Sequence, residues 1–318
     1  MLTVDDVVGA VGIVPTPATP DAGRWDAVDT IAVDETAKMV KLIVDAGIEM
    51  LITGAQFGEV ATITERELYT FADCVVRTAA PHPVFIGVTT LNTREAIARA
   101  REVTKLGAAG IFAGRPFWTH LDDGQIVQYY RDLTEALPGA PIIVYDNAHA
   151  FGGKISLDVW HELAKLPQIV AVRQGGGPDT LACIEACGDR IRFMPNDKAW
   201  LPAARKYPDR ALACWSGNVG CGPNPIVALS RAMRARDWAA AEAVHADLEW
   251  AAETMYPSGK NDDLFADYSI QLTHERIRAA GYVEPGPCRK PYTDVPEEYK
   301  AGSQEVGRRY RRLNEKYG

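Results

Sequence analysis

A short apolar, β-branched run, then a turn, then a longer amphipathic stretch recurs eight times between Ala10 and Trp215, and no other feature of the 318-residue chain restricts its fold as much. The runs are Ala10–Val14, Met50–Thr53, Val84–Thr89, Gly110–Ala113, Ile142–Tyr145, Ile169–Arg173, Ile191–Met194 and Ala211–Trp215. Between them, Asp34–Ala46, Glu65–Ala79, Thr93–Leu106 and Gln125–Leu137 carry apolar residues at three- and four-residue spacing, the signature of one helix face. Thr93 with Glu95, and Asp123 before Gln125, read as helix starts, and Gly47 and Gly107 as left-handed ends. Strands that alternate with helices pair in parallel, and continuously apolar strands are covered on both faces. Eight such units in about 225 residues predict a closed (β/α)8 barrel of the TIM type rather than an open doubly wound sheet. No glycine-rich phosphate fingerprint follows the first run, which weakens the dinucleotide-binding alternative.

Beyond Pro223 the pattern is helical only, over Ile226–Ala235, Trp238–Met255, Leu264–Ala280 and Pro296–Tyr317, with a proline-rich link around 285–291. The expected organisation is a barrel over 1–235 and a C-terminal helical extension over 236–318, packed together as one structural domain. A net charge of −8 argues against a nucleic-acid or anionic-membrane partner. No apolar run approaches the roughly 18 residues of a membrane helix, and Met1–Ala10 lacks the form of a secretory signal, so a cytoplasmic location is expected. Six cysteines in a chain of this length read as free thiols, Cys183 and Cys187 among them.

Active sites of such barrels lie at the C-terminal strand ends, which nominates Glu59 and its turn, Tyr145, Arg173, Asp197 and Trp215. Tyr145 is either a proton relay or a core tyrosine with a satisfied hydroxyl. Arg173 is either a two-point binder of a carboxylate or enolate, or one half of a salt bridge to Glu59 or Asp146. His120, Asp146, His149 and Asp197 carry metal-ligand chemistry but no ligand spacing, and solvated loop residues are the preferred reading. No metal and no cofactor is expected.

The turn Gly54-Ala55-Gln56-Phe57-Gly58-Glu59 with Ala61-Thr62-Ile63-Thr64 resembles the Gly-Thr-Thr-Gly-Glu turn of the dihydrodipicolinate synthase and N-acetylneuraminate lyase superfamily. Gly114-Arg115-Pro116-Phe117-Trp118, Val144-Tyr145-Asp146-Asn147 with Ala150-Phe151, Trp215-Ser216 with Cys221-Gly222-Pro223, and Gly286-Pro287-Cys288-Arg289 narrow the likeness. They are similar to the trans-o-hydroxybenzylidenepyruvate hydratase-aldolases and their carboxybenzalpyruvate relatives. That resemblance implies a homotetrameric lyase acting on a small carbonyl or carboxylate substrate through a lysine imine. It implies Tyr145 as proton shuttle and a carboxylate cradle at Ala55, Gln56, Phe57 and Gly58. Trp118, Asn147, Trp215 and Ser216 would complete the substrate site.

Two departures matter most. Arg173 stands where the resemblance calls for the imine-forming lysine, and a guanidinium, protonated and delocalised, is no usable nucleophile. Ala55-Gln56 stands where the family has Gly-Thr. The expected function is therefore a diverged lyase of hydratase-aldolase type, working on an aromatic or bulky 2-oxo acid without the usual imine. Two alternatives remain open. One is a catalytically silent barrel that binds a small carboxylate as sensor or regulatory subunit, and the other a class I aldolase with Lys154 or Lys198 as relocated nucleophile.

Overall fold

The computed structural model describes residues 1–256 and 263–318, with side chains for 1–256 and 267–318. Eight parallel strands form the barrel wall: β1 (Gly9–Val14), β2 (Met50–Thr53), β3 (Val84–Gly87), β4 (Gly110–Ala113), β5 (Ile142–Tyr145), β6 (Ile169–Arg173), β7 (Arg192–Met194) and β8 (Ala213–Ser216). Neighbours follow chain order from β1 to β7, and β8 pairs with β1. The ring closes through a parallel bridge between Asn196 and Trp215, where the Trp215 N–H donates to Pro195 O at 3.0 Å.

The helices are α1 (Val33–Ala46), α2 (Glu65–Ala79), α3 (Thr93–Lys105), α4 (Asp123–Ala136), α5 (Ala148–Phe151), α6 (Leu157–Leu163), α7 (Pro178–Cys187), α8 (Asp197–Lys206), α9 (Asn224–Ala235), α10 (Trp238–Ala252), α11 (Asp263–Ala280) and α12 (Glu297–Lys316). The helices α3 and α4 start at Thr93 and Asp123 as expected, and the residue before each is its cap: Asn92 accepts from the Glu95 N–H and Asp122 from the Gln125 N–H. Gly47 and Gly107 do follow the ends of α1 and α3 at positive φ, where a Cβ would be strained. The last run begins later than expected. Ala211 donates to Tyr207 O and accepts from the Trp200 indole, so its backbone cannot join the ladder.

Strand parity sorts the core. Ile13, Ile52, Phe85, Phe112, Ile143 and Ala171 pack inside the barrel, while Val14, Leu51, Ile86, Ile111 and Val144 pack outward beneath the helices. Counting on by two from Ile143 and Ala171 makes Tyr145 and Arg173 inward, and the β5–β6 register sets them side by side. All six cysteines are free, five of them buried. Among the described residues no helix is long and apolar enough to cross a membrane.

Candidate active site

The turn after β2 is built by close backbone contact. Gly54 adopts φ +73°, and Gly58 lies so near it that a Cβ on Gly58 would sit 2.3 Å from the Gly54 nitrogen. Thr16 Oγ1 donates to Gly58 O at 2.9 Å and fixes the turn to the end of β1. We expect Gly58→Ala to cost about 1–3 kcal/mol, because backbone cannot move aside as a flexible side chain can; urea denaturation measures it. A loss within experimental error would mean that the turn yields freely.

Glu59 follows at φ +52°, unusual for a residue with a side chain, and is buried. Its carboxylate meets His274 Nε2 at 2.5 Å and Arg289 Nη1 at 2.9 Å, both contributed by the C-terminal extension. Burial pushes the Glu59 pKa up, but the charges and hydrogen bonds of His274 and Arg289 outweigh it and hold the carboxyl below its ordinary range. Burial likewise opposes the His274 cation, yet Glu59 prevails and raises it to about 10. The extension thus clamps the turn that carries Gln56 and Phe57.

At the end of β5, Asn147 caps α5 through Oδ1, which accepts from the N–H groups of His149 and Ala150. That leaves Nδ2 aimed inward, where it donates to Tyr145 Oη at 2.9 Å and to Gln56 Oε1 at 2.9 Å. The tyrosine hydroxyl therefore accepts one hydrogen bond from Asn147 and donates its own proton in a long one to Gln56 Oε1 at 3.5 Å.

Arg173 is buried, and its guanidinium lies 3.7 Å from the centroid of Trp215 and 5.2 Å from that of Tyr145. Burial lowers its pKa, while Tyr145 and Asp146 pull it back. Neither expected salt bridge forms. Glu59 is held by His274 and Arg289, and Asp146 by Arg115 Nη1 at 3.5 Å and Gln174 Nε2 at 3.0 Å. Among the described residues no carboxylate pairs with Arg173, and its Nε has no hydrogen-bond partner. Nor does burial leave Asp146 strongly acidic: desolvation raises its pKa against Gln174 and Arg115, as it does for Asp197 against Ser216.

Gln56, Phe57, Asn147, Arg173 and Trp215 line a cavity of about 620 Å³ at the C-terminal mouth of the barrel, and Tyr145 stands outside that lining. Arg276 also reaches it from α11, buried and 5.4 Å from the Phe57 centroid. Sequence reasoning missed Arg276 and His274, which sit among several polar residues of a helix assigned only to packing; for Arg289 the tail motif was the available signal. Other expectations need correction. Trp118 is 82 % exposed and forms no aromatic wall, because its neighbour Phe117 takes the inward place against Phe151. Ser216 is fully buried, its hydroxyl donating to Asp197 at 2.7 Å, and Ala55 and Gly58 lie behind the lining. Lys154 and Lys198 line the cavity but are exposed, Lys154 being paired with Asp179. His120 and His149 are exposed too, and among the described residues no group of three or more His, Cys, Asp or Glu side chains could hold a metal ion.

The dihydrodipicolinate synthetase family model matches residues 12–306, nearly the whole barrel and most of the extension. The chain belongs to that family. Within it, the sequence is 47 % identical over 321 aligned positions to a trans-2'-carboxybenzalpyruvate hydratase-aldolase of Nocardioides sp. strain KP7, covering 99 % of this chain and 96 % of that protein. It is 38 % identical, with the same coverage, to a trans-O-hydroxybenzylidenepyruvate hydratase-aldolase of Pseudomonas aeruginosa. A solved structure described as PhdJ bound to substrate intermediate superposes with a TM-score of 0.97 at 44 % identity, covering 100 % of this chain and 99 % of that one. A sialic acid aldolase of Ruminococcus gnavus, at 17 % identity and TM-score 0.82, shares the fold. Membership makes this chain an aldolase-superfamily lyase by descent, with a guanidinium at the end of β6.

Proposed function

We propose that the protein is a hydratase-aldolase-type lyase for an aromatic or bulky 2-oxo acid, and that it works without a lysine imine. The observation that carries this reading is the buried guanidinium of Arg173, with no carboxylate partner among the described residues, beside a Tyr145 hydroxyl whose one donated hydrogen bond is long at 3.5 Å. A buried cation without a counter-ion is costly, and a bound anion removes that cost. A 2-oxo carboxylate supplies one, and so does the enolate that develops when the bond to its third carbon breaks.

In the cleavage direction the C4 hydroxyl of a 4-hydroxy-2-oxo acid passes its proton to the Tyr145 hydroxyl, which gives up its own toward C3, and the C3–C4 bond breaks. The electron pair passes into the C2 carbonyl as an enolate held by Arg173, and the aryl aldehyde leaves. Tyr145, oriented by Asn147, relays a proton to C3 to give pyruvate. Hydration of the conjugated double bond in an arylidene pyruvate uses the same parts: water adds its oxygen to C4, and C3 gains a proton through the same enolate. The full-length relatives named for this chemistry support the substrate class.

Tyr145→Phe is expected to lower turnover of arylidene pyruvates at least about a hundredfold with little change in KM. A near-normal rate in that variant would take Tyr145 out of the mechanism. The same guanidinium also supports a second reading, a carboxylate-binding barrel with no reaction. Calorimetric binding of pyruvate beside a turnover assay separates the two, since binding without turnover of any arylidene pyruvate favours the binder.

A further inference from the structure

Gln56 stands in the wall of two cavities of opposite character. The larger carries four cations, Arg173, Arg276, Lys154 and Lys198, against the carboxylates of Asp146, Asp179 and Asp197. The smaller, about 190 Å³, lies on the Tyr145 side of Gln56 and is walled by Tyr145, Phe151, Phe117, Ile270 and Tyr292. Among the described residues its one charged lining residue is Asp267. Its volume is on the order of the apolar cavities that accept a benzene ring. Its aromatic walls are already arranged edge to face: the Tyr145 and Phe151 centroids lie 5.2 Å apart at 82°, and those of Phe117 and Phe151 6.3 Å apart at 61°. Another ring extends such an array favourably.

Charge separates the substituents that ring can bear. A ring carboxylate placed here would lose its water with no cation among the described residues of the wall to replace it, and would face Asp267. A ring hydroxyl meets a different surface. Gln271 donates Nε2 to Asp294 O at 2.9 Å, which orients the amide and leaves Oε1, in a residue only 5 % exposed, with no donor among the described residues. An acceptor left unmet in a cavity wall favours a ligand that brings a donor.

We propose that this second cavity is the aryl subsite, and that Gln271 and Asp267 make it select a phenolic ring over a ring bearing a carboxylate. The proposal rests on the aryl 2-oxo acid reading above and sharpens it. The anionic end of the substrate lies with Arg173, the ring lies beyond Gln56, and the scissile bond falls beside Tyr145. It also sets this chain apart from the carboxybenzalpyruvate enzyme that it matches at 47 % identity.

The test is binding of two unreactive ring fragments, 2-methylphenol and 2-methylbenzoate, measured by calorimetry with excess pyruvate occupying the Arg173 cavity. Three proteins are compared: wild type, Ala61→Trp, which fills the small cavity from an exposed position, and Asp267→Lys. Affinity lost in Ala61→Trp reports this cavity alone. That component is expected to favour the phenol at least about tenfold in the wild type, and Asp267→Lys is expected to narrow the ratio several-fold, the scale of an exposed charge. Equal or tighter binding of the benzoate in the component sensitive to Ala61→Trp, or phenol binding indifferent to Ala61→Trp, would overturn the proposal. If no arylidene pyruvate is turned over while the phenol still binds and Ala61→Trp abolishes it, the lyase reading fails and the aryl subsite stands.

Discussion

Incubation with pyruvate and borohydride should leave the mass of the wild-type chain unchanged, whereas Arg173→Lys should acquire a reduced pyruvyl adduct at the substituted residue. The wild-type result follows from chemistry at the end of β6. Borohydride traps an imine, an imine needs an uncharged amine, and the delocalised guanidinium of Arg173 offers none. The other lysines of the cavity are poor substitutes. Lys154 is exposed and paired with Asp179, and Lys198 is exposed, so neither has the desolvation of an enclosed side chain. A lysine at position 173 would have it, being enclosed by Trp215, Tyr145 and Phe57. The difference is between adduct and no adduct, which makes it the largest effect expected of any single substitution here. Peptide mapping completes the test: a wild-type adduct on Lys154 or Lys198 would reinstate imine catalysis with a displaced lysine and end the reading of Arg173 as its replacement.

Breaking the buried cluster of Glu59, His274 and Arg289 should cost about 3–5 kcal/mol, the usual loss when one partner of a desolvated ion pair is removed. Glu59→Gln is the cleanest variant, because it keeps the shape of the side chain and removes the charge between His274 and Arg289. Urea denaturation of Glu59→Gln, His274→Gln and the double variant gives the coupling between them. Single losses under about 1 kcal/mol would show that the cluster does not brace the turn. The pair also has a pH signature. The Glu59 carboxyl is held low, so its contribution is present above its ordinary value of 4.5 and fades as pH falls through the lowered one. The His274 cation is held high, so its contribution is complete below 6.5 and is lost progressively as pH rises to about 10. The stabilisation from this pair is therefore greatest between 4.5 and 6.5, and the gap between wild type and Glu59→Gln should narrow on either side.

The barrel was legible because its evidence is local. Each strand advertises itself within three to six residues and each helix within a few turns, and parity then carries Tyr145 and Arg173 to the inner face without any knowledge of distant contacts. The position of Trp215 at a C-terminal strand end nominated it for the mouth of the barrel. Trp118 escaped parity, because a loop has no period from which to read which of two neighbouring aromatics turns inward.

What the sequence by itself determined is the ring of eight strands and the residues at the C-terminal strand ends, with a guanidinium at position 173. Only the tertiary structure decided the pairings of charge. Glu59 finds His274 across 215 positions of chain, while Arg173 finds no carboxylate among the described residues, although Asp146 is close in sequence to its strand neighbour Tyr145. It also decided that α11 supplies Arg276 to one cavity and Gln271 to the other. A helix period shows that a polar face exists but not what lies opposite it. Which cation meets which anion depends on where the extension crosses the barrel mouth, and that path is set by packing summed over the whole molecule.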